Sequence, residues 1–272
     1  MFFYGFILPL GKFIYKLNIM KRLTGKIYLL LFILCSLTAC KNSENGDQAQ
    51  SKLTKVEGPQ LTYILPSPQT NGTVSVEQAL ENRRSRRDFI DKAISAEQLS
   101  QILWAAYGVT NAIPDNPSLG GGLRTAPSAG ALYPFEIYAV IGKVNGIEAG
   151  VYKYIAKDHK IIRTIDRDIR EELSAVALGQ EFLKKAPVTI LYSAIYSRMT
   201  QKYGDRGRDR YVCMDLGHSA QNIYLQAETL NLGTCAIGAF VDSKMAELLQ
   251  LTEEEEPLYI MPVGHYNRRP QM

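Results

Sequence analysis

The stretch AGVYKYIAKDHKIIRTI, residues 149–165, constrains the fold more than any other part of the 272-residue chain. It reads as two strands rich in β-branched and aromatic residues, joined by a turn at Lys157-Asp158. So short a connection joins only antiparallel neighbours, because a parallel pair needs a crossover of about a dozen residues or more. A sheet that contains this pair is therefore not purely parallel. Elsewhere strands and helices alternate. Strands are expected in FEIYAVIG from Phe135, APVTILYSAIY (186–196), TCAIGAF and LYIMPVG. Helices are expected from Ser75, from Ser95, in DIREELSAVALG, over about 211–230 and near 242–249. The pattern predicts an α+β fold, a mixed and mostly antiparallel sheet flanked by helices.

Ser75 with Gln78, and Ser95 with Gln98, have the spacing of capping boxes, and Leu99, Ile102, Leu103 and Ala106 then share one helical face. Gly108 ends that second helix. Residues 109–131 follow as a long loop with three consecutive glycines and Pro114, Pro117 and Pro127. Loops of this length inside a domain are commonly functional. RTAPSAGALYPFEIYAV, residues 124–140, changes character midway: small turn-prone residues give way to the alternation of a strand dry on one face. Residues 198–210 read as a charged, Gly-containing loop.

The N-terminus has its own logic. Lys21-Arg22 precedes an apolar run of 11 residues, 27–37, too short to span a bilayer as a helix but suited to a secretory signal, with an uncleaved anchor as the alternative. The pair is not a twin arginine, so export would be of the unfolded chain. LTAC, residues 37–40, resembles a bacterial lipobox, which makes Cys40 the expected lipid-bearing residue of an envelope protein anchored to the membrane. The chain thus divides into a leader (1–40), a polar tether (41–60) and a folded body (61–272). The net charge of +4 resides in the leader, which holds five Lys/Arg and no acid; 26 basic and 27 acidic residues remain. That balance gives no basic footprint for nucleic acid. Cys213 and Cys235 form no disulfide framework and read as small buried residues, or as a single bridge. His159, His218 and His265 lack ligand spacing, so no metal site is expected.

Three groups of residues carry possible chemistry. RRSRRDF, 83–89, puts four guanidinium groups around Ser85; planar donor forks suit phosphate oxygens, although a solvated basic helix end gives the same pattern. Pro127, Ser128, Ala129 and Gly130 allow backbone groups to approach a flat ligand, or simply connect to a strand. LGTCAIGAF is a second small-residue stretch against which a planar cofactor edge could rest.

In order along the chain, RRSRRDF, LSQILWAAYGVT, APSAGALYPFEIYAV, GVYKY, KYGDRGRDRYVCMDLGHSAQNIYLQAETLNLGTCAIGAF and PLYIMPVG resemble the FMN-dependent nitroreductase superfamily, and within it the SagB/ThcOx-type dehydrogenases. The resemblance runs from about Tyr63 to Gly264. It implies a homodimer with FMN at the subunit interface. Arg83, Ser85 and Arg87 would bind the phosphate and ribityl end, with Arg268 or Arg269 completing that site. Pro127, Ser128, Ala129 and Gly130 would line the flavin, and Ile237, Gly238 and Ala239 would offer backbone groups to its N5/O4 edge. Lys202 and Tyr203 match a pair associated with proton removal in the azoline-oxidising branch; a lysine acting so near neutral pH needs burial or a neighbouring cation. The surface alternative is a Lys-Tyr pair in a charged loop. The expected activity is hydride transfer between flavin and a small-molecule or peptide substrate, with NAD(P)H as reductant in many relatives. A non-catalytic, ligand-binding lipoprotein is the alternative.

Overall fold

The computed structural model describes residues 52–113 and 119–267. The leader with Cys40, the tether up to Ser51, and Arg268 with Arg269 lie outside them. In chain order the strands are β1 (Thr54–Val56), β2 (Thr62–Ile64), β3 (Val109–Ala112), β4 (Gly122–Arg124), β5 (Phe135–Ile141), β6 (Gly150–Ile155), β7 (Lys160–Ile165), β8 (Val188–Ile195), β9 (Gly233–Thr234) and β10 (Glu255–Gly264). The helices are α1 (Val76–Asn82), α2 (Ala96–Tyr107), α3 (Arg170–Val176), α4 (Phe182–Lys185), α5 (Ser197–Tyr203), α6 (Val212–Thr229) and α7 (Asp242–Leu249).

Eight strands form one sheet in the order β1-β2-β7-β6-β5-β8-β10-β9, and every pairing between them is antiparallel. The β6–β7 hairpin sits where the sequence puts it, its turn closed by His159 in the left-handed region at φ 46. The sheet begins at β1, inside the stretch read as tether.

β5 lies near the centre because both its faces are apolar. Ile137, Ala139 and Ile141 join one buried cluster, and Tyr138 and Val140 the other. The strand is therefore dry on both faces rather than one; Tyr138 looks polar in the sequence, but its ring is buried and its hydroxyl donates to Glu255 at 2.8 Å. Ile102 and Leu103 of α2 and Ala220 and Ile223 of α6 pack on the first face. Leu173 of α3, Leu183 of α4 and Met245 and Leu249 of α7 pack on the second. Each fully buried aliphatic side chain in these layers stabilises the fold by about 1.5–3 kcal/mol.

Further expectations change. The long loop after α2 contains the β3–β4 hairpin, closed so tightly that a Cβ on Gly122 would sit 2.1 Å from the Asn111 carbonyl oxygen. The helix in DIREELSAVALG forms but is shorter than expected, since α3 stops at Val176 and Leu178 and Gly179 turn left-handed. TCAIGAF is mostly irregular, with only β9 and a bridge from Ile237 to Ile260. The charged 198–210 segment is largely helical, as α5 and a π-type turn at Gly207–Tyr211, because its cations find partners: Arg198 pairs with Glu136 at 2.5 Å, and Arg208 with Glu256 at 3.1 Å while lying over the Tyr196 ring. Both cysteines are free; Cys235 is buried as expected, but Cys213 is exposed.

His159 fastens the chain entering the sheet. Its Nε2 lies 3.0 Å from the Pro66 carbonyl oxygen and 2.7 Å from Ser100 Oγ, and its Nδ1 lies 2.8 Å from Tyr154 Oη. A neutral ring with its proton on Nε2 satisfies all of them, Tyr154 donating to Nδ1. Burial lowers the His159 pKa below the ordinary value of 6.5. The unfolded chain therefore takes up the proton first, and stability is expected to fall as pH drops below about 6.5. His159→Gln should flatten that slope in urea titrations between pH 7.5 and 5; an unchanged slope contradicts this account.

Candidate functional site

α6 organises the site. Val212, Asp215, Ser219, Ile223 and Ala227 recur at three- and four-residue spacing and form its buried stripe. Among them Asp215 is a carboxylate on an otherwise core-facing row, 4% exposed. It accepts from Ser128 Oγ at 2.6 Å and from the Ala129 amide at 3.2 Å. Burial pushes its pKa up, more than the bonds from Ser128 and Ala129 hold it down.

Those bonds fix the small-residue stretch. Ser128 Oγ also accepts from the Tyr133 amide at 3.0 Å, so the hydroxyl and the Ala129 amide are both engaged within the protein. Between these anchors the backbone is left-handed at Gly130 (φ 65), Ala131 (φ 55) and Tyr133 (φ 47). Non-glycine residues there cost about 1–3 kcal/mol each and persist only when the surroundings hold them. Arg198 donates to the Tyr133 carbonyl at 3.2 Å, and Arg124 lies over the Tyr133 ring at 5.0 Å. Pro127 is exposed beside them. A Cβ on Gly130 would stand 2.6 Å from Tyr203 Oη and 2.9 Å from Lys202 Nζ. The fold thus brings Lys202 and Tyr203, more than 70 residues on in sequence, directly against the loop. The Tyr203 ring meets Tyr211 edge-on at 5.0 Å, and Arg206 donates to Tyr211 Oη at 2.9 Å. Lys202 itself is exposed, so the protomer alone does not supply the burial that a base role calls for.

A second corner forms around Tyr224. Its hydroxyl lies 3.0 Å from Ser85 Oγ and accepts from the Ala236 amide at 2.8 Å, while Arg83 lies over its ring at 5.3 Å. A bridge between Ser85 and Thr234 joins the arginine-rich segment to β9. Ser85, Arg86 and Arg87 line a cleft of about 660 Å³ there, together with the carboxylates Asp88 and Glu228, whereas Arg83 lies outside its lining; neither Arg83 nor Arg87 forms an ion pair among the described residues. Arg86 Nε and Thr234 Oγ1 are buried without partners in the same corner. This donor set fits a phosphate. Arg86, which the sequence did not distinguish from its neighbours, also lines this cleft and lies over the Tyr266 ring at 4.9 Å. Of the next run, Ile237 spends both its amide and its carbonyl on Ile260, and the Ala239 carbonyl accepts from Gln180. Gly238 stands against the Tyr259 ring, its would-be Cβ 3.7 Å away.

The two corners do not face one another. Asp215 and Tyr224 are nine residues apart, which on an α-helix is a rotation of about 180° and a rise of about 13.5 Å. Asn222, seven residues after Asp215 and so on nearly the same side of the helix, donates to the Thr125 carbonyl at 3.2 Å. Neither Asp215 nor Tyr224 was singled out from sequence, although an acid on the apolar stripe of an amphipathic helix is a readable signal. Among the described residues no His/Cys/Asp/Glu cluster is arranged for a metal ion.

An antiparallel sheet between helical layers, a strained small-residue loop and an arginine-rich corner together define a nitroreductase-like α+β protein. The chain belongs to the nitroreductase family, whose model matches residues 80–265. It is 46% identical over 191 residues to the nitroreductase-family protein MJ1384 of Methanocaldococcus jannaschii, covering 70% of this chain and 91% of that one. It is 26% identical to the microcin B17-processing protein McbC of Escherichia coli, over 75% and 76% of the two chains. It is 25% identical to an FMN reductase [NAD(P)H] of Bacillus subtilis, over 70% and 65%. A nitroreductase-family structure from Ralstonia eutropha superposes with a TM-score of 0.64 at 28% identity, covering 80% of this chain and all of that one.

Proposed function

We propose that this chain is an FMN-dependent oxidoreductase of the SagB-type dehydrogenase branch, passing a hydride between a small organic substrate and flavin. We propose further that it acts as a homodimer, lipid-anchored in a bacterial envelope through Cys40, with NAD(P)H as electron donor in assay. The observation that carries the reading is the opposition of the two corners across α6. A flavin mononucleotide whose phosphate sits at Arg83, Ser85 and Arg87 is carried away from the 127–130 loop of its own protomer, and a second copy supplies that loop with Lys202 and Tyr203.

Bound FMN supplies two-electron chemistry, and the protein supplies position and charge. Arg83 and Arg87 neutralise the phosphate, and each bond from a charged donor contributes about 1.5–3 kcal/mol. Gly130 lets Lys202 and Tyr203 approach the loop, and Gly238 is the least committed backbone of its run. Packing of the second copy over Lys202 would remove its ammonium from water, and its Nζ beside Gly130 is placed to hold or accept a substrate proton.

Complementation between copies tests this. Arg83→Ala/Arg87→Ala protein and Asp215→Ala protein are each expected to be colourless, while the co-expressed mixture regains flavin absorbance at up to about a quarter of the wild-type sites. That fraction follows from random pairing, in which half the dimers are mixed and each mixed dimer keeps one intact site. A mixture as colourless as its parents overturns the shared site, and wild-type protein that cannot be reconstituted with FMN overturns the enzyme.

A further inference from the structure

A second cleft, of about 510 Å³, opens between the start of β5, the β6–β7 turn and α5. Its size is that of a small-ligand site, and Tyr107, Tyr133, Phe135 and Tyr154 make its walls aromatic. Its charge is one-sided: Arg124, Lys157 and Arg198 face it against one carboxylate, Glu136. That carboxylate is already shared between Arg198 at 2.5 Å and Lys153 at 3.2 Å. Arg124 donates to the carbonyls of Tyr107 at 2.9 Å and Gly120 at 3.2 Å, and lies over the Tyr107 ring at 4.5 Å. Its charge, like that of Lys157, meets no carboxylate among the described residues. Positive charge between low-dielectric aromatic walls attracts an anion more strongly than the same charge on an open surface.

α5 links the cleft to the candidate reaction centre. On α5, Arg198, Gln201 and Lys202 fall within an arc of about 100°. Arg198 and Gln201 line the cleft, and Lys202 Nζ stands over Gly130. From this we infer that the cleft receives the carboxylate end of an aromatic acid substrate, whose reacting end points along α5 to Lys202 and Gly130. The inference rests on the reading of that corner as the place of reaction, and it assigns the substrate class.

Isothermal titration of the full-length protein with 4-nitrobenzoate and with its neutral analogue 4-nitrobenzamide tests it, with and without added FMN. The acid is expected to bind about tenfold tighter than the amide, the value of one good charge-assisted contact. Lys157→Glu/Gln201→Glu, two exposed positions, should remove or invert that preference at an unchanged thermal midpoint. Equal binding of acid and amide, or an undiminished acid preference in the double variant, overturns the inference. An acid preference that persists in protein unable to hold FMN leaves the carboxylate cleft standing and removes the flavoenzyme reading instead.

Discussion

Asp215→Ala is expected to weaken FMN binding by at least about 100-fold while leaving the far-ultraviolet circular dichroism of the protein unchanged. The carboxylate holds the Ser128 hydroxyl and the Ala129 amide, and Ser128 in turn holds the Tyr133 amide. Three residues from Gly130 to Tyr133 are left-handed, two of them not glycine. With the carboxylate gone, two bonds to a charged acceptor are lost, worth about 1.5–3 kcal/mol each, and the strain at Ala131 and Tyr133 has an escape. A tenfold change corresponds to about 1.4 kcal/mol, so even partial relaxation of the loop reaches the stated loss. Asp215→Asn separates the local role from the global one. Burial raises the Asp215 pKa, so the ionised form costs stability near neutral pH. An amide keeps one acceptor and removes the buried charge; its flavin affinity should be intermediate and its thermal midpoint no lower than wild type. Fluorescence titration with FMN decides the matter, and unchanged affinity in Asp215→Ala removes the aspartate from the site.

How much of this was legible in the sequence depends on how local each signal is. The Ser95–Gln98 capping box forms with both bonds in place, and the hairpin at Lys157-Asp158 closes, because each is decided within a few residues. The continuous apolar run of β8 states its own burial, whereas β5, read as dry on one face, is buried on both because Tyr138 hides its ring and spends its hydroxyl on Glu255. Ser128 was legible as part of a small-residue loop, but its function as a backbone strut depends on Asp215, 87 residues away. The helical character of 198–210 was hidden for the same reason: a run of cations reads as solvated until Glu136, Glu256 and Tyr196 are seen beside it. β1 and β2 were missed because three-residue strands carry too little pattern; β7 supplies the pairing that defines β2, and β2 that of β1. The order of motifs suggested one flavin touching all of them. Only the half-turn offset between Asp215 and Tyr224 along α6 divides them into two corners.

The largest loss of stability is expected from Glu255→Ala, about 3–5 kcal/mol, the range found when one member of a buried charged cluster is removed. Glu255, its side chain 2% exposed, begins β10 and ties together three other strands. It accepts from Tyr138 of β5 at 2.8 Å and Ser193 of β8 at 2.6 Å, and pairs with Lys153 of β6 at 3.3 Å. Removing it leaves two buried hydroxyls without their acceptor and the Lys153 ammonium with Glu136 alone. Glu136 also pairs with Arg198, which holds the Tyr133 carbonyl, so the disturbance leads from the sheet to the flavin-lining loop. Burial acts to raise the Glu255 pKa, but the bonds from Ser193, Tyr138 and Lys153 outweigh it, and the net shift is downward. A depressed carboxylate contributes its stability above the unfolded value of about 4.5 and loses it as pH falls through the folded one. Wild type should therefore lose the Glu255 contribution in acid, whereas Glu255→Gln, which keeps an acceptor but no charge, should be less stable at pH 7 and insensitive to this titration. Urea denaturation at pH 7 and pH 4 measures both effects, read as a shift of midpoint at constant slope. A loss below about 1 kcal/mol in Glu255→Ala would mean that the four strands are held by their apolar faces alone and that the charge chain to Arg198 has no mechanical role.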